Sequence, residues 1–284
     1  MEEIEWMDGH VVVDGVRLRY ARAGQGSPVL LLHGVTDNGR CWGRTADALA
    51  QAHDVILLDQ RAHGRSEAPE SGYTLADLAE DAAGVIRGLG LAPVAVLGHS
   101  LGARVGLALA TMYPDLVVRL VLDDPPLDFD WSSPEQPELD ADQARYQWFE
   151  WLRSLRMLSR HDLVAYCQAQ SPAWSPNECA RWVESKLEVN PRLWEPGGLE
   201  IAGPWRQEME RVMCPVLLVR GDVALGSVAA AAALGSVVDD AHAAEAMQLL
   251  PRGSDVHISG AGHSIHRDKF DAFITAVGPF LGHD

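Results

Sequence analysis

Hydrophobic positions along the chain fall into two periods. Short runs rich in valine, leucine and isoleucine stand at 28–32, 54–58, 93–97, 118–122, 215–219 and 255–258. Most are continuous rather than alternating, which predicts strands covered on both faces. Longer stretches with helical spacing lie between them, at 39–51, 75–90, 101–113 and 267–281. Two earlier runs, 10–13 and 16–20, flank Asp14-Gly15, a two-residue hairpin signal. A hairpin feeding alternating strands and helices predicts one α/β domain, with a mostly parallel sheet of about eight strands between helical layers.

The rhythm breaks once. No strand run occurs from 127 to 213, where helical patterns are punctuated by Pro134, Pro137, Pro172, Pro176, Pro191, Pro196 and Pro204. This predicts a helical insertion after the sixth strand: core at 1–126, cap at 127–213, core again at 214–284. Seven of the nine tryptophans fall in it: Trp131, Trp148, Trp151, Trp174, Trp182, Trp194 and Trp205. Bulky rings can fill the insertion's own core or wall an apolar pocket. Trp131, Trp151 and Trp182 are the candidates for substrate contact. The alanine- and glycine-rich stretch 226–233 reads as a loop leading into a helix.

Charge narrows the partners. Acidic residues number 40 against 23 lysines and arginines, a net charge of −17. Such a surface repels phosphate backbones and anionic lipid, which argues against nucleic acid and membrane partners. No apolar run approaches the roughly 20 residues of a membrane span. The start, Met-Glu-Glu-Ile-Glu, is acidic where a secretory signal is basic, so the expectation is cytoplasmic. Cys41, Cys167, Cys179 and Cys214 show neither CxxC nor finger spacing, and G-x-G-x-x-G is absent. Neither disulfide framework, metal nor cofactor is expected, and a homodimer is compatible with the sequence.

The chemistry begins at Gly98-His99-Ser100-Leu101-Gly102, between the run 93–97 and the helical stretch from 101. This is a G-x-S-x-G elbow in its strand–turn–helix setting. A sharp turn lifts the Ser100 hydroxyl above the sheet, and the following helix points its positive end at developing negative charge. A free hydroxyl needs a base. Gly262-His263, after the last strand run and before the last helix, brings an imidazole back to the elbow. His99 reads as packed beneath the turn and His266 as starting the final helix.

Ordered along the chain, these motifs resemble those of the α/β-hydrolase fold. Leu31-Leu32-His33-Gly34 matches the family's His-Gly segment after the third strand. Asp59-Gln60-Arg61-Ala62-His63-Gly64-Arg65-Ser66 resembles its D-x-R-G-x-G-x-S turn, with Ala62 where glycine is usual. The resemblance covers nearly the whole chain and implies an oxyanion hole from the backbone N–H groups of Val35 and Leu101. A serine at the elbow sets aside the aspartate-dependent dehalogenases and epoxide hydrolases of the fold.

The resemblance leaves the triad acid open between two places. The usual one follows the run 215–219, but Arg220-Gly221-Asp222-Val223-Ala224 puts alanine there, with Asp222 two residues earlier. The other follows the sixth strand, where Leu122-Asp123-Asp124-Pro125-Pro126 stands. Asp124 is similar in placement to the acid of zearalenone-type lactonases and is favoured over Asp222 and Asp123. The expected activity is hydrolysis of a carboxylic ester or lactone, on a bulky apolar or aromatic small molecule. A C–C hydrolase of ring-cleavage products is the enzyme alternative and would be expected to use Asp222. A hydrolase-fold receptor with little turnover is the alternative of another class.

Overall fold

The structure is a computed structural model that describes residues 4–128, 141–222 and 236–282. Eight strands form one sheet: β1 (Met7–Val13), β2 (Val16–Ala23), β3 (Pro28–Leu32), β4 (Asp54–Leu58), β5 (Val94–His99), β6 (Val117–Asp123), β7 (Val216–Arg220) and β8 (Gly253–His257). Their order is β1-β2-β4-β3-β5-β6-β7-β8. β2 runs antiparallel to both of its neighbours, and every pairing from β4 to β8 is parallel.

The continuous runs are the central strands, and alternate residues serve opposite faces. Leu30, Leu32, Ile56, Leu58, Val94 and Val96 enter one core cluster. Val29, Leu31, Val55, Leu57, Ala95 and Leu97 enter the other. Helices α2 (Leu75–Gly88) and α3 (Leu101–Met112) cover the first face. Helices α1 (Gly43–Leu49) and α10 (Phe270–Leu281) cover the second. β8 reads Gly-Ser-Asp-Val-His and is largely exposed, as an edge strand with one partner permits. That polarity explains why its run, expected at 255–258, begins two residues earlier.

Two expected helices are each divided. The stretch from 39 opens as a 3₁₀ turn, Gly39–Trp42, capped by the Asn38 side chain, before α1 begins. The last stretch splits at Lys269 into α9 (Ile265–Asp268) and α10.

Between β6 and β7 the described chain has no strand and four α-helices: α4 (Ala141–Arg156), α5 (Arg160–Gln170), α6 (Pro176–Glu188) and α7 (Trp205–Arg211). Leu155, Leu163, Cys167, Trp174, Cys179, Trp182 and Val183 form a small core of their own. Leu193, Trp194, Trp205 and Met209 join the sheet's core instead. A capping box of Ser175 and Glu178, with Pro176 in the first turn, starts α6. Completing the helices, α8 (Asp240–Leu249) lies between β7 and β8 in the chain. Among the described residues no helix is long and apolar enough to cross a membrane. The stretch 226–233 lies outside the described residues.

Candidate active site

The elbow forms where β5 meets α3. Ser100 sits at φ 52° and ψ −117°, a left-handed conformation that a side chain rarely adopts. A Cβ on Gly98 would lie 2.2 Å from the Gly102 carbonyl oxygen, and one on Gly102 would lie 2.1 Å from that of Leu32. Only glycine fits at either position, so the motif's spacing is a steric requirement of the turn. Ser100 is 7% exposed and lines a cavity together with His263. Leu101 is the first residue of α3, where backbone N–H groups have no intrahelical acceptor.

The acidic pair at the end of β6 divides between two partners. Asp124, also left-handed at φ 47°, is fully buried. Its Oδ2 accepts from Nδ1 of His263 at 2.6 Å and from the Val237 N–H at 2.9 Å. Its Oδ1 accepts from the Ser236 hydroxyl at 2.7 Å and from the Val238 N–H at 3.2 Å. Four donors around one carboxylate offset its loss of water. Asp123 meets His266 instead, with 2.6 Å between Oδ2 and Nδ1. Burial pushes the Asp123 carboxyl well up, the neighbouring Asp124 adding to it, while burial, Arg267 and His99 push His266 well down. Both shifts favour the neutral forms.

Asp222 is remote from this arrangement. It accepts from the Gly260 N–H at 2.7 Å and the Ser259 hydroxyl at 2.8 Å, with His257 at 3.3 Å. The Gly260 and Ser259 bonds, with His257 close by, hold its carboxyl below the ordinary range. It ties down the turn that precedes His263, whose imidazole is bound to Asp124 instead. Position 224 lies outside the described residues.

His263 follows β8 in a loop fastened at both sides. The Gly262 N–H donates to Asp268 Oδ2 at 2.9 Å, and the His263 carbonyl accepts from His99 Nε2 at 3.0 Å. Burial and the adjacent His263 hold the His99 pKa well down, so its ring is neutral with the proton on Nε2. His99 is buried behind the elbow, as expected, but its ring also reaches the cavity.

Val35 lines the cavity in a turn closed by the Asp37 N–H donating to the Gly34 carbonyl at 3.0 Å. Ala62 adopts φ 63°, which accounts for the glycine usual at that point of the motif. Of the tryptophans expected at the substrate, Trp182 lines the cavity, and Trp131 lies outside the described residues. Trp151 does not line it. It stands edge-on to Trp148, one helical turn away, and packs between the sheet's core and the small helical core. Trp148 takes the cavity-facing side of α4, and Trp174 completes the aromatic wall, its indole N–H donating to Asp268 at 2.7 Å. Lys186, Arg267 and Asp37 also reach the cavity, and the sequence reading missed all three. Lys186 was within reach of that reading, four residues after Trp182 on one helical face.

His99, Asp123 and His266 bring ligand-type atoms within 4.8 Å of one another. His266 Nδ1 and Asp123 Oδ2 are engaged with each other, and His99 Nε2 with a carbonyl.

A family model described as alpha/beta hydrolase fold matches residues 27–270. The chain is 28% identical to an N-formylmaleamate deformylase of Pseudomonas putida, across 97% of this chain and 96% of that one. It is 29% identical to a 2-(acetamidomethylene)succinate hydrolase of Mesorhizobium japonicum, across 95% and 94%. Among solved structures, an N-formylmaleamic acid deformylase from Pseudomonas putida superposes with a TM-score of 0.71 at 26% identity, across 95% of this chain and 100% of that one.

Proposed function

The chain belongs to the α/β-hydrolase fold family, and on that premise we propose that it is a serine hydrolase of small acyl compounds, with Ser100, His263 and Asp124 as its triad. The observation that carries the reading is the 2.6 Å bond between buried Asp124 and Nδ1 of His263, on a ring that shares a cavity with Ser100. An Nδ1–H held by a carboxylate leaves Nε2 free to take a proton. His263 accepts the Ser100 proton as the hydroxyl attacks the carbonyl carbon. The Val35 and Leu101 N–H groups stabilise the oxyanion, and His263 protonates the leaving group. Water then repeats the cycle on the acyl-enzyme. Residues 127–213 act as a cap over the site, with 1–126 and 214–284 as the core.

The acyl bond is that of a carboxylic ester or lactone. Amide hydrolysis is a second reading, favoured by the names of the two relatives, an N-formyl and an acetamido compound. The substrate is compact, with a flat apolar part against Trp148, Trp174 and Trp182. It also carries an anionic group, because Lys186 and Arg267 outnumber Asp37 at the cavity.

The test is product formation from a panel of esters, lactones, N-formyl amides and N-acetyl amides, run beside Ser100→Ala. Turnover that disappears in the variant supports the reading, and the preferred member decides between ester and amide. Absence of turnover on every member, with intact protein, overturns it. Chromophore loss from a ring-cleavage product would then assign C–C hydrolysis, and tight binding alone would assign a receptor.

A further inference from the structure

The carbonyls of the turn after β3 are tethered one by one. That of Gly34 accepts from the Asp37 N–H at 3.0 Å and from His33 Nδ1 at 2.9 Å. That of Val35 lies 2.8 Å from His63 Nε2. That of Thr36 accepts from the Lys186 ammonium at 2.9 Å, across 150 residues of sequence. Lys186 belongs to α6, in the segment between β6 and β7, and is 1% exposed. Its other protons go to Asp37 Oδ1 at 2.8 Å and Ser185 Oγ at 3.2 Å, with its Nζ 4.8 Å from the centre of the Trp182 ring. The second oxygen of Asp37 accepts from Arg267 on α9, four residues after His263. One carboxylate therefore joins the turn, α6 and the histidine loop.

Burial alone would raise the Asp37 carboxyl, but Arg267 and Lys186 overcome it and hold the group ionised. Three buried charges are a poor way to stabilise a fold, since desolvation consumes much of their attraction. What such a cluster does supply is fixed geometry, and here it grips the turn expected to provide an oxyanion donor. Two cations against one carboxylate also leave one positive charge beside the cavity.

We propose that Lys186 is a positioning residue for the oxyanion turn, the point through which α6 sets the backbone geometry that stabilises the transition state. This rests on the serine hydrolase reading above. Lys186→Met removes the tether and leaves Asp37 balanced by Arg267, so no buried carboxylate is stranded. Lys186→Gln keeps an N–H donor but is too short to reach Thr36 and Asp37 together.

Both variants are compared with the parent and Ser100→Ala in 4-nitrophenyl acetate turnover, inhibition by phenylboronic acid and labelling by a fluorophosphonate. The boronic acid adds Ser100 Oγ to form a tetrahedral anion and so reports the oxyanion geometry directly. Misplacing a donor predicts a kcat about 10- to 100-fold lower in Lys186→Met. The boronate should weaken by the same factor, and KM for this neutral ester, which offers Lys186 no anionic group, should stay within about threefold. Lys186→Gln should fall between the Met variant and the parent. Equal kcat in parent and Lys186→Met, or a loss confined to KM with boronate affinity intact, overturns the proposal. If thermal melting shows that Lys186→Met does not fold, Lys186→Gln decides alone: unchanged kcat and boronate affinity overturn the proposal, and a joint loss supports it. A parent that neither turns over nor is labelled overturns the serine hydrolase reading and this inference with it. A labelled, active parent with indifferent variants overturns only the inference.

Discussion

Replacing Asp124 by asparagine changes one atom and removes one charge, and the donors around the carboxylate set the cost. All four of its hydrogen bonds come from such donors: Ser236, Val237, Val238 and His263. An asparagine offers one acceptor oxygen and one NH₂ group, so in either orientation the NH₂ faces a backbone N–H. If it takes the place of Oδ2, it faces Val237 and forces His263 to accept at Nδ1. The ring proton then moves to Nε2 and the base is lost. If it takes the place of Oδ1, the Ser236 hydroxyl can rotate to accept, but the Val238 N–H loses its partner. The first orientation predicts a loss of about 10⁴-fold in kcat, the scale of a wrong-tautomer triad, or about 5.5 kcal/mol of barrier. Stability should fall by only about 1–3 kcal/mol, the scale of one stranded buried donor.

The control is Asp222→Asn. Its carboxylate is partly exposed, holds the 259–260 turn and lies beside His257 on β8, away from the cavity, so turnover should stay within about twofold. Steady-state rates on the best substrate of the panel, with melting curves to confirm folding, make the comparison. Asp124→Ala, which has no amide orientation to choose, decides: a folded Asp124→Ala that keeps more than a tenth of parental kcat, or an Asp222→Asn that falls as far, refutes the assignment.

Asp123→Asn should retain at least about a third of parental turnover in steady-state assays, because its buried carboxyl already favours the neutral form beside His266. A loss as large as that of Asp124→Asn would show that the second pair carries charge. Trp148→Ala should raise KM about 5- to 30-fold with little change in kcat, the scale of about 1–2 kcal/mol of lost apolar contact. Trp151→Ala should leave KM unchanged, and equal KM effects would restore Trp151 to the substrate wall. Burial and the neighbouring His63 push the His33 pKa from its ordinary 6.5 to about 3. Between those values the unfolded chain binds a proton that the folded chain refuses, so stability is lost as pH falls through that window, by up to about 5 kcal/mol. Urea midpoints at pH 7 and pH 4 should therefore converge in His33→Asn relative to the parent, and parallel shifts would contradict the linkage.

Sequence and structure divide the site unevenly. Ser100 and His263 are local: a serine between two glycines after an apolar run, and a histidine after Gly262 at the end of the last strand. Steric demand at Gly98 and Gly102 makes such spacing visible along the chain. The acid is harder, because a carboxylate's role depends on which face of β6 it leaves from. Asp123 and Asp124 are consecutive and point apart, one to His266 and one to His263. The resemblance favoured Asp124, but four donors converging from 236–238 and 263 are long-range contacts that no local pattern encodes.

Strand and helix periods, the elbow and the order of motifs were legible in the sequence because each arises from neighbours within a few residues: alternation, steric fit and capping. The cavity wall was legible only in part, through Trp182. Trp148 and Trp151 lie a turn apart on α4, yet only Trp148 lines the cavity, because Trp151 also packs against the small helical core, a distinction set by tertiary neighbours that composition hides. Lys186 reached Thr36 and Asp37 only because α6 folds back over the turn after β3, across 150 and 149 residues. Local sterics and periodicity determine which elements form. Which charges meet in the space between those elements depends on how distant segments pack, and only the tertiary structure decides it.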